Sequence, residues 1–192
     1  MRHGVSWLQK GIYEKKQEEI LSIHQFNLQF NPEEDRLVFR MNTVNKEEFR
    51  FFLTRRFVKI LWPVLLQLLE KDYAAREPEK SYAAKELVSF EREKVLSQAN
   101  FGQKYEEEMV NYPLGEDNIL LTQIRVKQKG NVHILCLFPS SGRGVEIPVN
   151  PVFLHTFSKL LRDLVAKTDW DMQLRFAESD YSQGKSSGRV LH

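Results

Sequence analysis

The sequence predicts an α+β protein built from two βββα units, each an antiparallel meander followed by a helix. Two observations support this fold class. Apolar residues alternate with polar ones in short segments and then recur with helical spacing, and this order of patterns occurs twice in the 192 residues. The composition, with 42% hydrophobic and 28% charged residues, is typical of a soluble globular protein and argues against wholesale disorder and an integral membrane protein.

The first unit spans residues 23–75. Phe26, Leu28 and Phe30 alternate with polar residues, which predicts a half-buried strand. A polar turn at 31–35 separates this strand from two further ones. The inward positions of these two strands are expected to be Leu37, Phe39, Met41, Phe49, Phe51 and Leu53.

A helix follows, with Thr54 as its predicted N-cap. Pro63 lies inside this helix and predicts a kink near Lys59, because proline removes one helical hydrogen bond. The apolar stripe expected to face the core consists of Phe57, Val58, Leu61, Val64, Leu65 and Leu68.

A charged connector, residues 76–117, joins the two units and is expected to hold a surface helix from Glu79 to about Asn100. The connector carries 6 basic and 10 acidic side chains, whereas residues 118–168 carry 7 basic and 2 acidic ones. The connector is therefore a natural competitor for any anionic partner of the second unit. The apolar contacts of its helix are expected from Tyr82, Ala83, Leu87, Phe90 and Val95.

The second unit spans residues 118–174. Its first strand alternates Ile124 and Val126 with basic residues, and its helix is predicted to begin at Asn150-Pro151, an N-cap followed by proline. The other inward positions are expected to be Val132, Ile134, Cys136, Phe138, Val145, Ile147 and Val149.

The two units match as an internal pseudo-repeat with an offset of 96 residues. Phe49 then corresponds to Val145, and the cap Thr54 corresponds to Asn150. Every position of the first helical stripe also has an apolar counterpart in the second helix. Each unit has one apolar sheet face and one apolar helix stripe to bury, and the two units can bury these surfaces against each other.

The ends of the chain differ from this pattern. Residues 1–22 are interpreted as an N-terminal appendage, and residues 175–192 as a mobile tail. No uninterrupted run of 18 apolar residues occurs, and the N-terminus shows no export signal. With Cys136 as the single cysteine, these features favour a cytoplasmic protein.

No catalytic template, glycine-rich phosphate loop or metal-ligand spacing occurs in the sequence. Cys136 is expected to be a small buried side chain rather than a nucleophile, and His155 to lie at the edge of the core rather than act as a base. Glu47 and Glu48 are expected in a solvated turn. The sequence favours a non-enzymatic protein with no cofactor and no metal.

Thr54, Arg55 and Arg56 form a candidate anion-binding site at the start of the first helix. Two positive side chains oppose the helix dipole there, and a phosphate or carboxylate would compensate for them. The alternative is pairing of these arginines with Glu47, Glu48 or the acidic connector.

A second candidate surface is the outer face of the two meanders, on the side opposite the helices. Basic side chains and one aromatic ring on this face suit single-stranded nucleic acid, which needs phosphate neutralisation and platforms for its bases. These residues are Arg36, Arg40, Arg50, Phe52, Arg125, Lys127 and Lys129. Outward apolar side chains would serve equally well as a dimer or partner interface, and they are expected to be Val38, Phe52, Leu135 and Leu137.

Several phrases resemble a family of short conserved proteobacterial proteins of unknown function. They are EEDRLVFRMNT (33–43), EEFRFFLTRRFVKILWPVLLQLLEKD (47–72), SQANF (97–101), PLGE (113–116) and AKTDWDM (166–172). The resemblance covers residues 23–174 and implies a bacterial cytoplasmic protein, without site residues. In topology alone the repeat resembles the whirly and purine-rich-element-binding folds, in which two sheet-then-helix units swap helices and bind single-stranded nucleic acid.

These observations predict a protein-interaction or oligomerising module that acts without catalysis and without a membrane. Single-stranded nucleic-acid binding on the basic outer face is the first alternative, and anion or nucleotide binding at Thr54–Arg56 is the second.

Overall fold

The computed structural model describes residues 21–99, 102, 104–107 and 111–176. Strands β1 (Ile23–Asn31), β2 (Arg36–Thr43) and β3 (Glu48–Thr54) are followed by helix α1 (Arg55–Arg76). A short 3₁₀ helix (Pro78–Ala83) and helix α2 (Ala84–Gln98) lie in the connector. Strands β4 (Ile119–Leu120), β5 (Gln123–Lys129), β6 (Val132–Phe138) and β7 (Val145–Pro148) precede helix α3 (Pro151–Val165). The α+β class is confirmed.

The first sheet has the strand order β1-β2-β3-β4. Antiparallel register places Phe26 beside Met41, and Met41 beside Phe49, so the predicted inward residues share one face. The inward residues of β2 and β3 are almost completely buried. The sheet also contains a strand that the sequence did not predict, because β4 adds parallel to β3 through only two residues. Two residues are too few for an alternating pattern to show.

The second sheet has the order β5-β6-β7, and both of its strand pairs are antiparallel. The predicted orientation of β6 is wrong. Leu135 and Leu137 pair with Val126 and Ile124 and belong to the core, whereas Val132 is exposed. Cys136 lies on the opposite face, in register with Arg125, and is nevertheless buried. The expected outer patch of Val38, Phe52, Leu135 and Leu137 therefore does not form.

The helices connect both sheets into one core. Phe157 of α3 packs edge to face on Phe26 and Phe39 of the first sheet, with ring centroids 5.8 and 5.0 Å apart. Helix α1 contacts β3 and also β6 of the second sheet. Helices α1 and α3 thus each contact the sheet of the other unit. This is expected if neither unit can bury its own apolar surfaces alone.

Both main helices begin at their predicted caps. The Thr54 hydroxyl accepts a hydrogen bond from the Phe57 amide at 3.1 Å, and the Asn150 side chain accepts one from the Phe153 amide at 2.8 Å. Helix α1 continues through Pro63 to Arg76. The matched caps and buried stripes agree with the pseudo-repeat, which itself stays a prediction.

The connector helix is correctly predicted as a surface element, but its expected contacts are partly wrong. Tyr82 and Phe90 are strongly exposed, and the helix instead buries Ala84 and Val88. The charged sequence of α2 has no clear apolar stripe from which its buried face could be predicted.

The expectations for both ends fall largely on residues 1–20 and 177–192, which lie outside the described ranges. The packed chain extends two residues into the segment expected to be a tail. Phe176 contacts Trp62 at a centroid distance of 5.0 Å, and the Trp62 indole donates to the Arg175 carbonyl. Among the helices in the described ranges, none combines the length and the apolarity that a membrane span requires.

Candidate functional site

The outer face of the first sheet carries four of the predicted surface residues. Strand register places Arg40 directly beside Arg50, and Val38 beside Phe52, while Arg36 lies at the end of the same face. The Arg36 guanidinium stacks on the Phe52 ring at 5.2 Å. The structure therefore brings Arg36, Arg40, Arg50 and Phe52 together.

A carboxylate at one end of this face holds two of the arginines. Glu48 is completely buried, and its side chain accepts hydrogen bonds from the Arg40 Nε at 3.1 Å and the Arg50 Nε at 2.5 Å. Burial raises the pKa of Glu48, but the hydrogen bonds and charges of the two arginines outweigh burial and hold this pKa below its ordinary value. The expectation that Glu48 lies in a solvated turn is wrong. It belongs to β3, in register with Asn42.

Part of the connector lies over these arginines. The Tyr105 ring stacks on Arg40 at 4.7 Å, and its hydroxyl donates to Glu48 at 3.1 Å. The Tyr112 ring stacks on Arg50 at 4.8 Å, and Arg50 also donates to the Glu116 carbonyl. Burial raises the pKa of Tyr105, so its phenol stays protonated as the donor. The part of the acidic connector that contains Tyr105, Tyr112 and Glu116 thus lies over the first sheet. Arg143 of the second unit also donates to the Pro113 carbonyl of the connector.

An open cavity of about 330 Å³ remains beside this network. It is lined by Val38, Arg40, Arg50, Glu107 and Asn118. The Glu107 carboxylate lies 3.8 Å from the Arg40 guanidinium and is itself strongly exposed. Because Glu48 and Glu107 already balance the two arginines, this cavity offers little net positive charge to an anion.

The other predicted basic residues lie on the second sheet. Arg125, Lys127 and Lys129 alternate along β5 and share its outer face. Lys127 forms an ion pair with Glu146 of β7, and Arg125 stacks on Phe138 at 5.7 Å. No hydrogen bond or ion pair between described residues joins this group to Arg36, Arg40 or Arg50, so the structure shows two basic groups.

Strand β5 is also an edge of its sheet. Within the described ranges it pairs with β6 alone, over all seven residues and without a bulge. Six of these residues are exposed, and Ile124 is partly buried. An edge strand directs half of its backbone donors and acceptors away from the sheet, where another chain can pair with them.

At the predicted anion site, the Thr54 hydroxyl already accepts a hydrogen bond from one backbone amide in the first turn of α1. Arg55 is partly buried and Arg56 is exposed. Within the described ranges, neither arginine has a carboxylate within 4.0 Å, and the Arg55 Nε is buried without a hydrogen-bond partner. The alternative pairing with Glu47 or Glu48 is therefore absent, and anion binding here stays a prediction.

A buried charged cluster at the junction of the three helices was missed by sequence reasoning. His155 of α3 is completely buried, and its Nε2 lies 3.3 Å from the Glu91 carboxylate of α2. Glu91 also binds Arg76 of α1, which in turn binds Asp72. Burial lowers the pKa of His155, although Glu91 opposes this shift. The spacing of Asp72 and Arg76, four residues apart, was the available local signal.

Cys136 is buried, and burial raises the pKa of its thiol, which disfavours the reactive thiolate. Across the described part of the chain, no group of three or more metal-ligating side chains comes together.

Comparison with protein-family models, with curated proteins and with solved structures finds no match to this chain. The resemblances to a proteobacterial family and to the whirly and purine-rich-element-binding folds therefore stay predictions.

Proposed function

We propose that this protein is a non-enzymatic interaction module that binds a partner protein by strand addition to the exposed edge of β5. The observation that carries this proposal is the long, regular and exposed edge of the second sheet. Strand addition uses backbone hydrogen bonds for affinity and alternate side chains for specificity.

The side chains of β5 support binding at this edge. Val126 is 41% exposed on the core-facing side, although it pairs with the buried Leu135. Val132, at the start of β6, is 46% exposed. A further strand beside β5 would cover Val126 and so add apolar burial to the backbone hydrogen bonds.

The experiment is site-specific photo-crosslinking of the full chain in its cell of origin. A photoreactive amino acid replaces Val126 on β5 or, as a matched control, Val152 on α3, which is 58% exposed. We expect a discrete adduct from position 126 and none from position 152. Equal adducts from both positions, or none from position 126, would contradict the proposal.

Single-stranded nucleic acid is a second candidate ligand. The observation that favours it is the shared exposed face of Arg125, Lys127 and Lys129. The arginines of the first sheet offer less positive charge to a nucleic acid than expected, because Glu48 and the connector tyrosines already bind Arg40 and Arg50. Fluorescence anisotropy with a single-stranded oligonucleotide tests this candidate, and binding must weaken with salt and in an Arg125→Glu/Lys129→Glu variant.

A further inference from the structure

We infer that the partner segment that pairs with β5 is an acidic, extended peptide of another protein. This inference rests on the proposed strand addition and names the chemistry of its partner.

The charge of β5 is all of one sign. Arg125, Lys127 and Lys129 project from its outer face, and the strand contains no acidic residue. Glu146 on β7 forms an ion pair with Lys127. Between described residues, Arg125 and Lys129 have no ion pair. An added strand with glutamate or aspartate at alternate positions would place carboxylates directly beside these side chains.

A second copy of this chain is a poor occupant of the same edge. In a fully overlapping antiparallel pair of two β5 strands that keeps both cores on one side, Arg125 of each copy lies opposite Lys127 of the other. Like charges directly opposite each other in a sheet are destabilising. The edge thus opposes self-pairing while it stays complementary to an acidic strand.

Basic side chains also protect edge strands from aggregation. Protected edges are commonly short or interrupted by bulges, prolines or inward-pointing charges. Strand β5 has none of these features, since its core-facing positions are Ile124, Val126 and Gln128 and its register with β6 is regular. The charges therefore select among partners without making the backbone edge unsuitable for pairing.

The test measures binding of four synthetic nine-residue peptides with blocked ends to the full chain. Fluorescence anisotropy gives the affinity of each peptide. Three peptides alternate valine with glutamate, serine or lysine, and the fourth is the glutamate peptide with N-methylated backbone amides at alternate positions. We expect the glutamate peptide to bind about tenfold tighter than the serine peptide, because cross-strand charge pairs with Arg125 and Lys129 are gained. High salt should reduce this preference, and the lysine peptide should not bind.

Two charge-reversal variants are compared with the wild type. Arg125→Glu/Lys129→Glu removes the two side chains without disturbing the Lys127–Glu146 pair, and should weaken binding of the glutamate peptide about tenfold. The matched control is Lys59→Glu/Lys85→Glu, at two exposed helical positions, and should bind within about twofold of the wild type.

Each failure has a distinct meaning. Equal affinity for the serine and glutamate peptides overturns the acidic partner but leaves strand addition intact. Unchanged binding of the N-methylated peptide overturns strand addition, because backbone pairing is then not used. Binding of none of the peptides overturns both.

Discussion

Glu48 and Arg40 form a two-point ion pair on the outer face of the first sheet, with Glu48 completely buried and one-fifth of the Arg40 side chain exposed. Arg50, two residues further along β3, donates a hydrogen bond to the same carboxylate. One acidic group thus holds two arginines in place, and these arginines support the tyrosines of the connector. The cluster joins β2, β3 and the connector.

Replacing Glu48 with glutamine should lower the free energy of unfolding by about 3 kcal/mol, because two partly buried guanidinium groups lose their counter-ion. Chemical denaturation at neutral pH measures this loss. The matched control is Glu107→Gln, since Glu107 lies 3.8 Å from Arg40 but is strongly exposed. The control should cost less than about 0.5 kcal/mol. Similar losses in both variants would mean that burial of Glu48 does not determine its contribution.

His155 should make the stability of the protein fall between neutral and mildly acidic pH. Its ring is buried among α1, α2 and α3, beside Glu91 and near the positive charges of Arg92 and Arg76. Burial lowers its pKa in the folded state below the ordinary value of about 6.5. The unfolded chain therefore binds a proton at a higher pH than the folded chain, and stability decreases as pH falls below about 6.5.

Urea denaturation at pH 7.5, 6.5 and 5.5 measures this dependence. A His155→Gln variant should be less stable at pH 7.5 but should lose most of the slope, whereas His24→Gln, at a partly exposed position, should keep it. A second decrease below about pH 4.5 should occur in all three proteins, because the pKa values of Glu48 and Glu91 are lowered in the folded state. An unchanged slope in His155→Gln would show that another group causes the first decrease.

The caps of α1 and α3 should contribute similarly to stability. Thr54→Ala and Asn150→Ala each remove one hydrogen bond to a free helical amide and should each cost about 1 kcal/mol. Thermal or chemical unfolding measures both, and Thr54→Ser should retain most of the stability because it keeps the hydroxyl. Negligible losses in both alanine variants would show that solvent satisfies these amides equally well.

The first unit could be predicted in detail because its strands have one apolar and one polar face. Phe39 and Met41 alternate with Arg40 and Asn42, so the pattern defines which residues face the core. Strand β6 is different, since apolar residues occupy nearly every position from Val132 to Phe138. Because both faces of β6 carry apolar residues, the pattern does not show which face points towards the core. The reversed orientation of Leu135 and Cys136 follows from this ambiguity.

The candidate site could be predicted only in part. The alternation that places Arg40 and Arg50 outward is local, and the sequence therefore revealed their shared face. Their covering by Tyr105 and Tyr112 depends on contacts between residues more than 60 positions apart, as in the contact between Tyr112 and Arg50. No local pattern contains that information. The position of β5 at the edge of its sheet likewise depends on strand order, which hydrophobic periodicity does not define.

The loop between β6 and β7 should tolerate alanine at Gly142 better than at Gly144. A Cβ atom at Gly144 would lie 2.1 Å from the Leu137 carbonyl oxygen and 2.9 Å from the Phe138 Cα, both of which are backbone atoms that cannot move independently. Gly142 has open space around it, although its φ of +92° is strained for any residue with a Cβ.

Gly144→Ala should therefore lower the free energy of unfolding by about 3 kcal/mol, through displacement of β6 or of the loop. Gly142→Ala should cost about 1 kcal/mol, through backbone strain alone. Chemical denaturation compares the two variants, and hydrogen exchange of the β6 amides locates the disturbance. Faster exchange at Leu137 and Phe138 is expected only in Gly144→Ala, because only that side chain presses on β6. Equal costs with unchanged exchange would contradict the close approach of Gly144 to this strand.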